Sequence, residues 1–270
     1  MADQPATPGE KGTGGGARRE PQLPPEAICT VIRADEHLVV VDKKAGFPVT
    51  PASQYQHRSV VRALQRMGFD QVYPVNLLDR EATGLVLLSR DEATAKSMRW
   101  NWRSNLCERD YIAVAQGDIA GARGRITYPI GMVQAGKRKR RGVLPTDQGG
   151  RPAATRWRLL ARGRGMSRLL LTVNAGRCHQ LRIHLAAIGH PVVNERVYIE
   201  RNRETPLDSL LEELDTRRHD VRRLPPHQIG LHCWRVRVPH PTTGEMMALE
   251  APVPRELLDL MPGAWVVDAA

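Results

Sequence analysis

The sequence predicts an α+β fold with one large mixed or mostly antiparallel central sheet, flanked by helices and loops. Two observations lead to this fold class. Strand-like and helix-like segments are interleaved along the chain, but they do not alternate evenly as they do in a doubly wound parallel sheet. Several neighbouring strand segments are also separated only by short turns, which is typical of hairpins.

The first ordered elements are predicted to follow a tail. Residues 1–27 are rich in Gly, Pro and charged side chains and poor in apolar ones, so they cannot bury enough surface to fold and are expected to be disordered. Two short strands come next, around a turn at Ala34–His37. Gly46 and Pro48 end the second strand, because both residue types interrupt regular strands.

A helix and two buried strands are predicted in the next part of the chain. Ser59 is a suitable N-cap, and the residues after it form an apolar stripe with helical spacing. The run 84–89 indicates a buried strand, and Ser89 with Glu92 fits a capping box that begins a second helix at once. The run 111–117 is another strand, closed by a glycine.

The regular pattern breaks down after Tyr128, and we assign a basic arm to residues 132–156. The centre of this arm is a run of consecutive cations: Lys137, Arg138, Lys139, Arg140 and Arg141. The run is either a solvated mobile loop or an arm that contacts phosphate groups. It supplies nearly half of the net charge, which favours the arm.

The last part of the chain returns to regular elements. Residues 167–193 indicate a strand, a tight turn and a helix that ends at Gly189. A helical insertion is predicted at 199–224. A hairpin that turns at Pro241–Gly244 and a short helix begun by Pro254 complete the predicted elements.

The charge of the chain points to a polyanionic partner. The 270 residues include 40 Lys and Arg against 29 Asp and Glu, a net charge of +11, and nucleic acid is the default partner for such an excess. A merely soluble basic surface is the alternative. Only 4% of the residues are aromatic, which argues against a broad stacking platform for single strands.

The sequence also predicts a cytoplasmic protein. It contains no apolar stretch of membrane-spanning length and no signal-peptide pattern, so neither a membrane span nor secretion is expected. The four cysteines are widely spaced and form no CxxC pair, which is typical of reduced thiols.

Several common active-site motifs are absent from the sequence, namely GxxxxGK[ST], HExxH and GxSxG. His179 and His184 are close in sequence, but five positions on a helix place two residues about 140° apart around its axis. They would not share a face. Because zinc requires three or four converging ligands, no metal site is expected.

Asp79, in the segment NLLDREATG, is the candidate for chemistry. A carboxylate that is paired with a cation stays ionised and can act as a nucleophile or a base. Arg182, near the start of a predicted helix, is a possible partner, although sequence spacing does not show that the two residues meet. The alternative is that Asp79 is only a turn residue, since Asp is common in turns.

Five segments of the chain resemble those of the RluA-type pseudouridine synthases. NLLDREATGLVLLSR is similar to the family segment around the catalytic aspartate, RDYIAVAQG to the strand with the active-site tyrosine, and GRCHQLRIHLAAIGHPVV to the family's His-Gln-x-Arg-x-His segment. The flanking segments ADEHLVVVDKKAGFPVTP and LHCWRVRVPHPTTGEMMALEAPVP agree as well. The matches follow the family order over roughly residues 28–260, and they imply the pseudouridine synthase catalytic fold over 28–264.

The resemblance implies roles for individual residues. Asp79 corresponds to the catalytic aspartate, Tyr111 to the tyrosine that stacks on the target base, and Arg182 to the arginine paired with the aspartate. Arg177 and His179 correspond to residues at a turn and helix start that shape the RNA site. For Tyr111 the alternative is packing in the core, where the phenol would need a buried partner.

The implied reaction is the isomerisation of uridine in RNA to pseudouridine. The N1–C1′ bond breaks, the uracil rotates in place, and C5 bonds to C1′. Since no group enters or leaves, the resemblance implies no cofactor and no metal. The aspartate either attacks C1′ or removes a sugar proton to give a glycal, and the sequence does not separate these routes. Ribosomal and transfer RNA are both open as substrates, and a monomer is expected.

The chain departs from the family next to Asp79. The family's His-Arg is Asn76-Leu77 here, while Arg80 keeps the basic residue after the aspartate. In the family, that arginine helps to fill the gap left by the flipped base. Leu77 carries no charge, although an apolar wedge can also enter a base stack. We therefore expect Asn76, Leu77 and Arg80 at the RNA, and a loop or single-stranded uridine as substrate, because it is cheaper to extrude.

Two further expectations follow from the resemblance. Only about 27 residues precede the matched segments, which is too few for the family's S4-like RNA-binding module, so none is expected. A non-catalytic RNA-binding protein or RNA chaperone with the same fold is the alternative function. The changed Asn76-Leu77 pair favours this alternative, and the retained Asp79, Tyr111 and Arg182 oppose it.

Overall fold

The computed structural model describes residues 23–52, 55–103, 106–174, 176–199 and 224–262. The predicted helical insertion therefore lies almost entirely outside the described residues, as do positions 1–22 of the predicted tail. The last residues of that tail are ordered, since a short 3-10 helix covers Pro25–Ala27 and leads directly into the first strand.

The described residues form strands and helices in an order that we number along the chain. The strands are β1 Cys29–Ala34, β2 Leu38–Lys43, β3 Tyr73–Pro74, β4 Thr83–Ser89, β5 Glu108–Gln116, β6 Arg123–Ile126, β7 Ile130–Ala135, β8 Arg138–Val143, β9 Thr155–Gly163, β10 Met166–Val173, β11 Leu231–Pro239 and β12 Met246–Glu250. The helices are α1 Val60–Arg66, α2 Glu92–Arg103, α3 Gln180–Ala187 and α4 Arg255–Leu260.

Most of the strands belong to one mixed sheet. Its order is β1-β2-β4-β11-β5-β10-β9-β6, with β12 added beside β11 and β3 beside β4. The β4–β11 pair is parallel, whereas the other pairs of this sheet are antiparallel. The predicted α+β class with a mostly antiparallel central sheet is thus confirmed.

Several local predictions are also confirmed. The β1–β2 hairpin turns at the expected residues, and the side-chain oxygen of Ser59 accepts a hydrogen bond from the backbone N–H of Arg62 to cap α1. The β11–β12 hairpin turns through residues 240–244, where the Gly244 N–H donates to the His240 carbonyl. Pro254 is the N-cap of α4.

The predicted capping box at the start of α2 is wrong. Asp91 is the capping residue instead, since its Oδ1 accepts a hydrogen bond of 2.7 Å from the Thr94 N–H. Ser89 remains in β4, where its hydroxyl donates to the His37 carbonyl and accepts from the Asp91 N–H. A Ser two positions before an Asp offers the chain two possible caps, and pairing with β2 keeps Ser89 in the strand.

The prediction of an irregular arm is also corrected. Strands β7 and β8 form a separate two-stranded hairpin, with register pairs from Ile130–Val143 to Ala135–Arg138. The basic arm, which we predicted over residues 132–156, is therefore this hairpin over residues 130–143. Strand β9, which follows it, was not predicted, although Trp157, Leu159 and Ala161 fall at alternate positions among its arginines, as in a half-buried strand.

The register of the central strands brings distant segments together. Cys233 of β11 lies opposite Gly84 of β4 on one side and opposite Tyr111 of β5 on the other. Gly84 has φ +109°, and a Cβ atom there would lie only 2.2 Å from the Cys233 carbonyl oxygen. The glycine therefore permits the close β4–β11 contact that places the loop before β4 beside β5.

Candidate active site

A cavity of about 540 Å³ opens beside the central strands. Its walls come from the loop before β4, the C-terminal part of α2, the start of β5, and the turn that leads into α3. Asp79, Tyr111, Arg177, His179 and Arg182 all line it. The structure thus brings together residues that are up to 103 positions apart in the sequence.

Backbone contacts hold the loop that presents Asp79. The Ala82 N–H donates to the Asp79 carbonyl, which closes a turn. The fully buried Lys43 lies behind this turn, and its Nζ donates to the carbonyls of Arg80 at 3.1 Å and Ala82 at 2.6 Å. Burial lowers the pKa of Lys43 to about 7, although the negative charge of Asp79 acts in the opposite direction.

Arg182 lies between two carboxylates. Its Nη1 is 3.0 Å from Asp79 Oδ2, while its Nε and Nη2 bind the two oxygens of Glu195 at 2.7 and 2.8 Å. The Arg182 and Glu195 side chains are 4% and 0% exposed, and Asp79 is 20% exposed. The fork geometry of the guanidinium fixes Arg182 on Glu195 and leaves one N–H for Asp79.

The charges of this cluster support one another. Burial alone would raise the pKa of Glu195, but hydrogen bonds and positive charge from Arg182 hold it below its ordinary value. The Glu195 carboxylate also accepts backbone N–H groups of Arg196 and Val197. Burial alone would lower the pKa of Arg182, yet its contacts with Glu195 and Asp79 raise it, so the guanidinium is charged at any pH of interest.

His179 contacts the second oxygen of Asp79. Its Nε2 lies 3.5 Å from Asp79 Oδ1, and its Nδ1 lies 2.7 Å from the Tyr198 hydroxyl. His179 is the N-cap of α3 and has a left-handed backbone with φ 56°, which is uncommon for a residue with a side chain. A hydrogen bond with Cys178 and the charge of Asp79 raise the pKa of His179.

Tyr111 forms a floor of the cavity. It packs against the hydrophobic core, and Cys233 of β11 is its register partner. Burial holds the pKa of Tyr111 well above its usual range, so the phenol is neutral. Core packing and a place in the cavity wall, which the sequence presented as alternatives, thus occur together at this residue.

The residues predicted at the RNA near Asp79 differ in their surroundings. Leu77 is at the cavity wall and 72% exposed, whereas Asn76 is only 3% exposed. The Asn76 carboxamide accepts from the Leu87 N–H at 2.8 Å and donates to the Leu85 carbonyl. The Asn76 side chain thus binds the backbone of β4, while the residue also lines the cavity and its RNA contact stays a prediction.

Arg80 and Arg177 lie on different sides of Asp79. Arg80 turns away from the cavity, where it binds Glu81 at 2.7 Å and stacks on Tyr55. The RNA contact of Arg80 stays a prediction, since its side chain is 40% exposed. Arg177 lines the cavity, and its Nε donates to the Pro152 carbonyl at 3.2 Å.

The basic arm reaches the site through one residue. Arg140 donates to the Val197 carbonyl, and its guanidinium lies 5.6 Å from the ring centre of Tyr198. The same ring lies 5.4 Å from the Arg182 guanidinium. Lys137, Lys139 and Arg141 are exposed to solvent. For Arg138 the structure describes only the backbone, which belongs to β8.

Sequence reasoning missed three residues that shape the site, namely Glu195, Tyr198 and Lys43. Glu195 offered a signal, since it is the only acidic residue between Asp147 and Glu200 in a strongly basic region. A lone carboxylate among arginines is a natural partner for one of them. Lys43 and Tyr198 offered no comparable signal, because only the folded chain buries the first and turns the second toward His179.

Two other histidines have structural roles. His184 is buried and bonds to Thr155 Oγ1 and to the Tyr128 carbonyl, each at 2.9 Å. His232 is buried between Thr83 and the Ala251 carbonyl, and burial lowers its pKa to about 4. Within the ranges that the structure describes, no group of three or more His, Cys, Asp and Glu side chains has the arrangement of a metal site. None of the described helices combines the length and apolarity needed to cross a membrane.

Comparisons with known proteins identify the family. The family model described as RNA pseudouridylate synthase matches residues 37–187. A protein named ribosomal large subunit pseudouridine synthase D from Pasteurella multocida is 30% identical over 90% of this chain and 72% of its own length. The protein of that name from Nitrosomonas europaea is 29% identical over 87% of this chain and 65% of its own length. The chain thus spans about two thirds of these curated relatives.

The fold has a solved counterpart in human RNA pseudouridylate synthase domain containing 1. That structure superimposes with a TM-score of 0.65 over 87% of this chain and 86% of the other, at 23% sequence identity. At this identity the match establishes the fold alone.

Proposed function

The chain belongs to the RNA pseudouridylate synthase family, as the RluA-type resemblance predicts, and we propose that it isomerises uridine in RNA to pseudouridine with Asp79 as the catalytic residue. The Asp79–Arg182 ion pair of 3.0 Å inside a cavity that Tyr111 also lines is the observation that supports this most strongly. No other carboxylate lines this cavity among the described residues.

The geometry suits a reaction that transfers nothing to or from the substrate. The N1–C1′ bond breaks, the uracil turns, and a C5–C1′ bond forms as the proton on C5 moves to solvent and N1 gains one. Both possible first steps, attack of the carboxylate on C1′ and removal of a sugar proton, need an Asp79 oxygen held close to the ribose. Arg182 supplies that position, since Glu195 fixes it from the other side.

The cavity holds the uracil while it is detached from the ribose. Its volume of about 540 Å³ falls in the range of small-ligand sites. The neutral phenol ring of Tyr111 offers a flat apolar face over which the base can rotate.

Leu77 lies at the cavity wall, beside the position that a flipped uridine would take. It is 72% exposed at the cavity wall, and an apolar side chain in this position can wedge between bases. Leu77 cannot form a hydrogen bond with the base that was paired with the flipped uridine in a duplex. We therefore propose a uridine in a loop or single-stranded segment as the substrate, since extrusion from such a segment loses less stacking and pairing energy.

Ribosomal RNA of the large subunit is the first candidate substrate, because the relatives that match most of the chain carry that name. Transfer RNA is the second. We further propose that the protein acts as a cytoplasmic monomer: the described residues of one chain supply the whole cluster, and Cys29, Cys107, Cys178 and Cys233 are free thiols. Light scattering on the purified protein tests the monomer.

Mapping of pseudouridines tests the reaction. Total RNA from a strain that lacks the gene is incubated with the purified protein and, in parallel, with Asp79→Asn. We expect at least one uridine to be converted by the wild-type protein and not by the variant. If both proteins bind RNA but convert no uridine, the non-catalytic RNA-binding function is correct instead.

A further inference from the structure

Strands β6 and β9 place arginines opposite one another at one edge of the large sheet. Arg123 is the register partner of Arg158, and Arg125 is the partner of Arg156. Residues directly opposite in an antiparallel pair point to the same face with Cβ atoms about 5 Å apart, and like charges in these positions are destabilising. We call these four residues the arginine ladder.

The ladder is only partly neutralised by the protein. Arg156 forms an ion pair of 2.8 Å with Glu108. For Arg123, Arg125 and Arg158 the described part of the chain supplies no side-chain hydrogen bond and no ion pair. Arg123 and Arg125 are exposed and Arg158 is half-exposed. An uncompensated cluster of cations at the edge of a sheet favours an external polyanion.

The ladder faces away from the candidate active site. Thr155 and Trp157, which alternate with the ladder residues along β9, point to the opposite face, where the Thr155 hydroxyl contacts His184 of α3. Trp157 is the register partner of Leu171, and Leu171 is the partner of Tyr111. An RNA chain that reaches both sites must therefore pass around the β6 edge of the sheet.

An open groove of about 740 Å³ lies beside this edge of the sheet. Arg125 lines one part of it, and Pro152 and Asn174 line another. The Pro152 carbonyl accepts the hydrogen bond from Arg177, which itself lines the active-site cavity. The groove thus has Arg125 of the ladder in its lining, and its Pro152 contacts Arg177 of the cavity wall.

We propose that the groove and the arginine ladder bind the phosphate backbone of the RNA that flanks the modified uridine. This inference rests on the proposed function for the presence of RNA in the cavity. The occupant is a single strand, or one strand of a distorted duplex, because it leaves a deep cavity and bends at once around a sheet edge. Guanidinium groups bind phosphate through paired N–H donors, and these contacts carry no base specificity.

The test compares two triple variants with the same loss of charge. The ladder variant is Arg123→Gln, Arg125→Gln and Arg158→Gln. The control variant is Arg33→Gln, Arg62→Gln and Arg66→Gln, exposed residues on β1 and α1 at the opposite edge of the sheet. Each protein is assayed on a short RNA that holds only the modified uridine and its nearest neighbours, and on a long RNA that includes its flanks.

For the ladder variant we expect KM on the long RNA to rise on the order of tenfold at moderate salt, with kcat unchanged. The slope of log binding constant against log salt should fall by about 2, since each lost contact with a single strand accounts for about 0.7. On the short RNA its KM should equal that of the wild type. An unchanged KM on the long RNA, or an equal rise in the control variant, would overturn the proposal and leave a merely solvated basic edge.

The binding part of the test does not depend on catalysis. The same long and short RNAs are titrated against Asp79→Asn with and without the ladder substitutions. If no RNA is ever modified, the proposed function fails. A ladder-dependent affinity for the long RNA would still support RNA binding by the groove and the arginine ladder. A thermal unfolding curve excludes misfolding, since removing like-charged neighbours should leave the unfolding temperature equal or higher.

Discussion

The buried ion cluster of Asp79, Arg182 and Glu195 and the exposed cations of the basic arm use charge in opposite ways. In the cluster, Arg182 has fixed partners within 3.0 Å on both sides and is almost inaccessible to solvent. In the arm, Lys137, Lys139 and Arg141 are exposed. The cluster holds the Asp79 carboxylate in place, whereas the exposed cations of the arm are available to bind a polyanion.

This difference determines how each region should respond to mutation and salt. Removal of one member of a buried pair leaves an uncompensated charge, so single substitutions there are costly. Exposed cations are screened at physiological salt, and each contributes a small, separable amount to the binding of a polyanion. The predictions below test this contrast.

The largest effect is expected at the exposed end of the cluster. Asp79→Asn removes the only carboxylate that lines the cavity among the described residues and should reduce pseudouridine formation on the order of 10⁴-fold or more. Its effect on stability should be small, because Glu195 still neutralises Arg182. Activity is measured by pseudouridine mapping and stability by urea unfolding. Retention of more than a few per cent of the activity would exclude Asp79 as the catalytic residue.

Glu195→Gln should damage the cluster from its buried end. It leaves Arg182 with Asp79 at 3.0 Å and the more distant Glu81 at 3.9 Å, so the free energy of unfolding at pH 7 should fall by about 3 kcal/mol, and kcat should fall because Arg182 is less well held. Glu195→Asp, which keeps the charge with a shorter reach, is the matched control and should lose less of both. Equal losses in the two variants would show that shape, and not charge, is what Glu195 contributes.

The stability difference between wild type and Glu195→Gln should depend on pH. The folded-state pKa of Glu195 is below its unfolded value, so its contribution is fully present above the unfolded pKa of about 4.5 and is lost as pH falls through the folded pKa. Urea unfolding at pH 7 and at pH 4 measures this. A difference that grows as pH falls would contradict the assigned pKa direction.

The arm should respond more weakly and through binding. Lys137→Gln, Lys139→Gln and Arg141→Gln together should raise KM on the order of tenfold at low salt and less at high salt, with kcat unchanged. Arg140→Gln alone is the informative contrast, because Arg140 packs over Tyr198 and should also lower kcat by a few-fold. Steady-state kinetics at two salt concentrations separate the two cases. If Arg140→Gln changes only KM, the arm and the cluster are energetically independent.

Leu77 should produce the smallest effect. Leu77→Arg adds a hydrogen-bonding group at the cavity wall and should raise the rate on a uridine within a stable duplex several-fold, while the rate on a loop uridine changes little. Leu77→Ala removes the wedge and should lower both rates. Single-turnover assays on matched hairpin and duplex RNAs measure this. If the wild-type protein already modifies duplex and loop uridines equally fast, the proposed substrate preference is wrong.

The sequence by itself determined the features that depend on local chemistry. The α+β class, the Ser59 cap and the β11–β12 hairpin follow from residue patterns within short segments, and the family follows from ordered motifs. The interpretation of Asp79 as a turn residue ahead of β4 is also correct, because the turn chemistry is local. The prediction that this turn belongs to a catalytic site came from the resemblance and not from the residues around it.

The tertiary structure decided which charges meet. Glu195 binds Arg182, Lys43 supports the Asp79 loop, and Asn76 binds the backbone of β4. Each of these contacts depends on how the chain folds around its strands. Strand β9 was not predicted, and its place between β10 and β6 is likewise set by pairing in the folded chain. Burial strengthens the attraction between paired charges and makes an unpaired charge destabilising. It is a property of the folded chain alone.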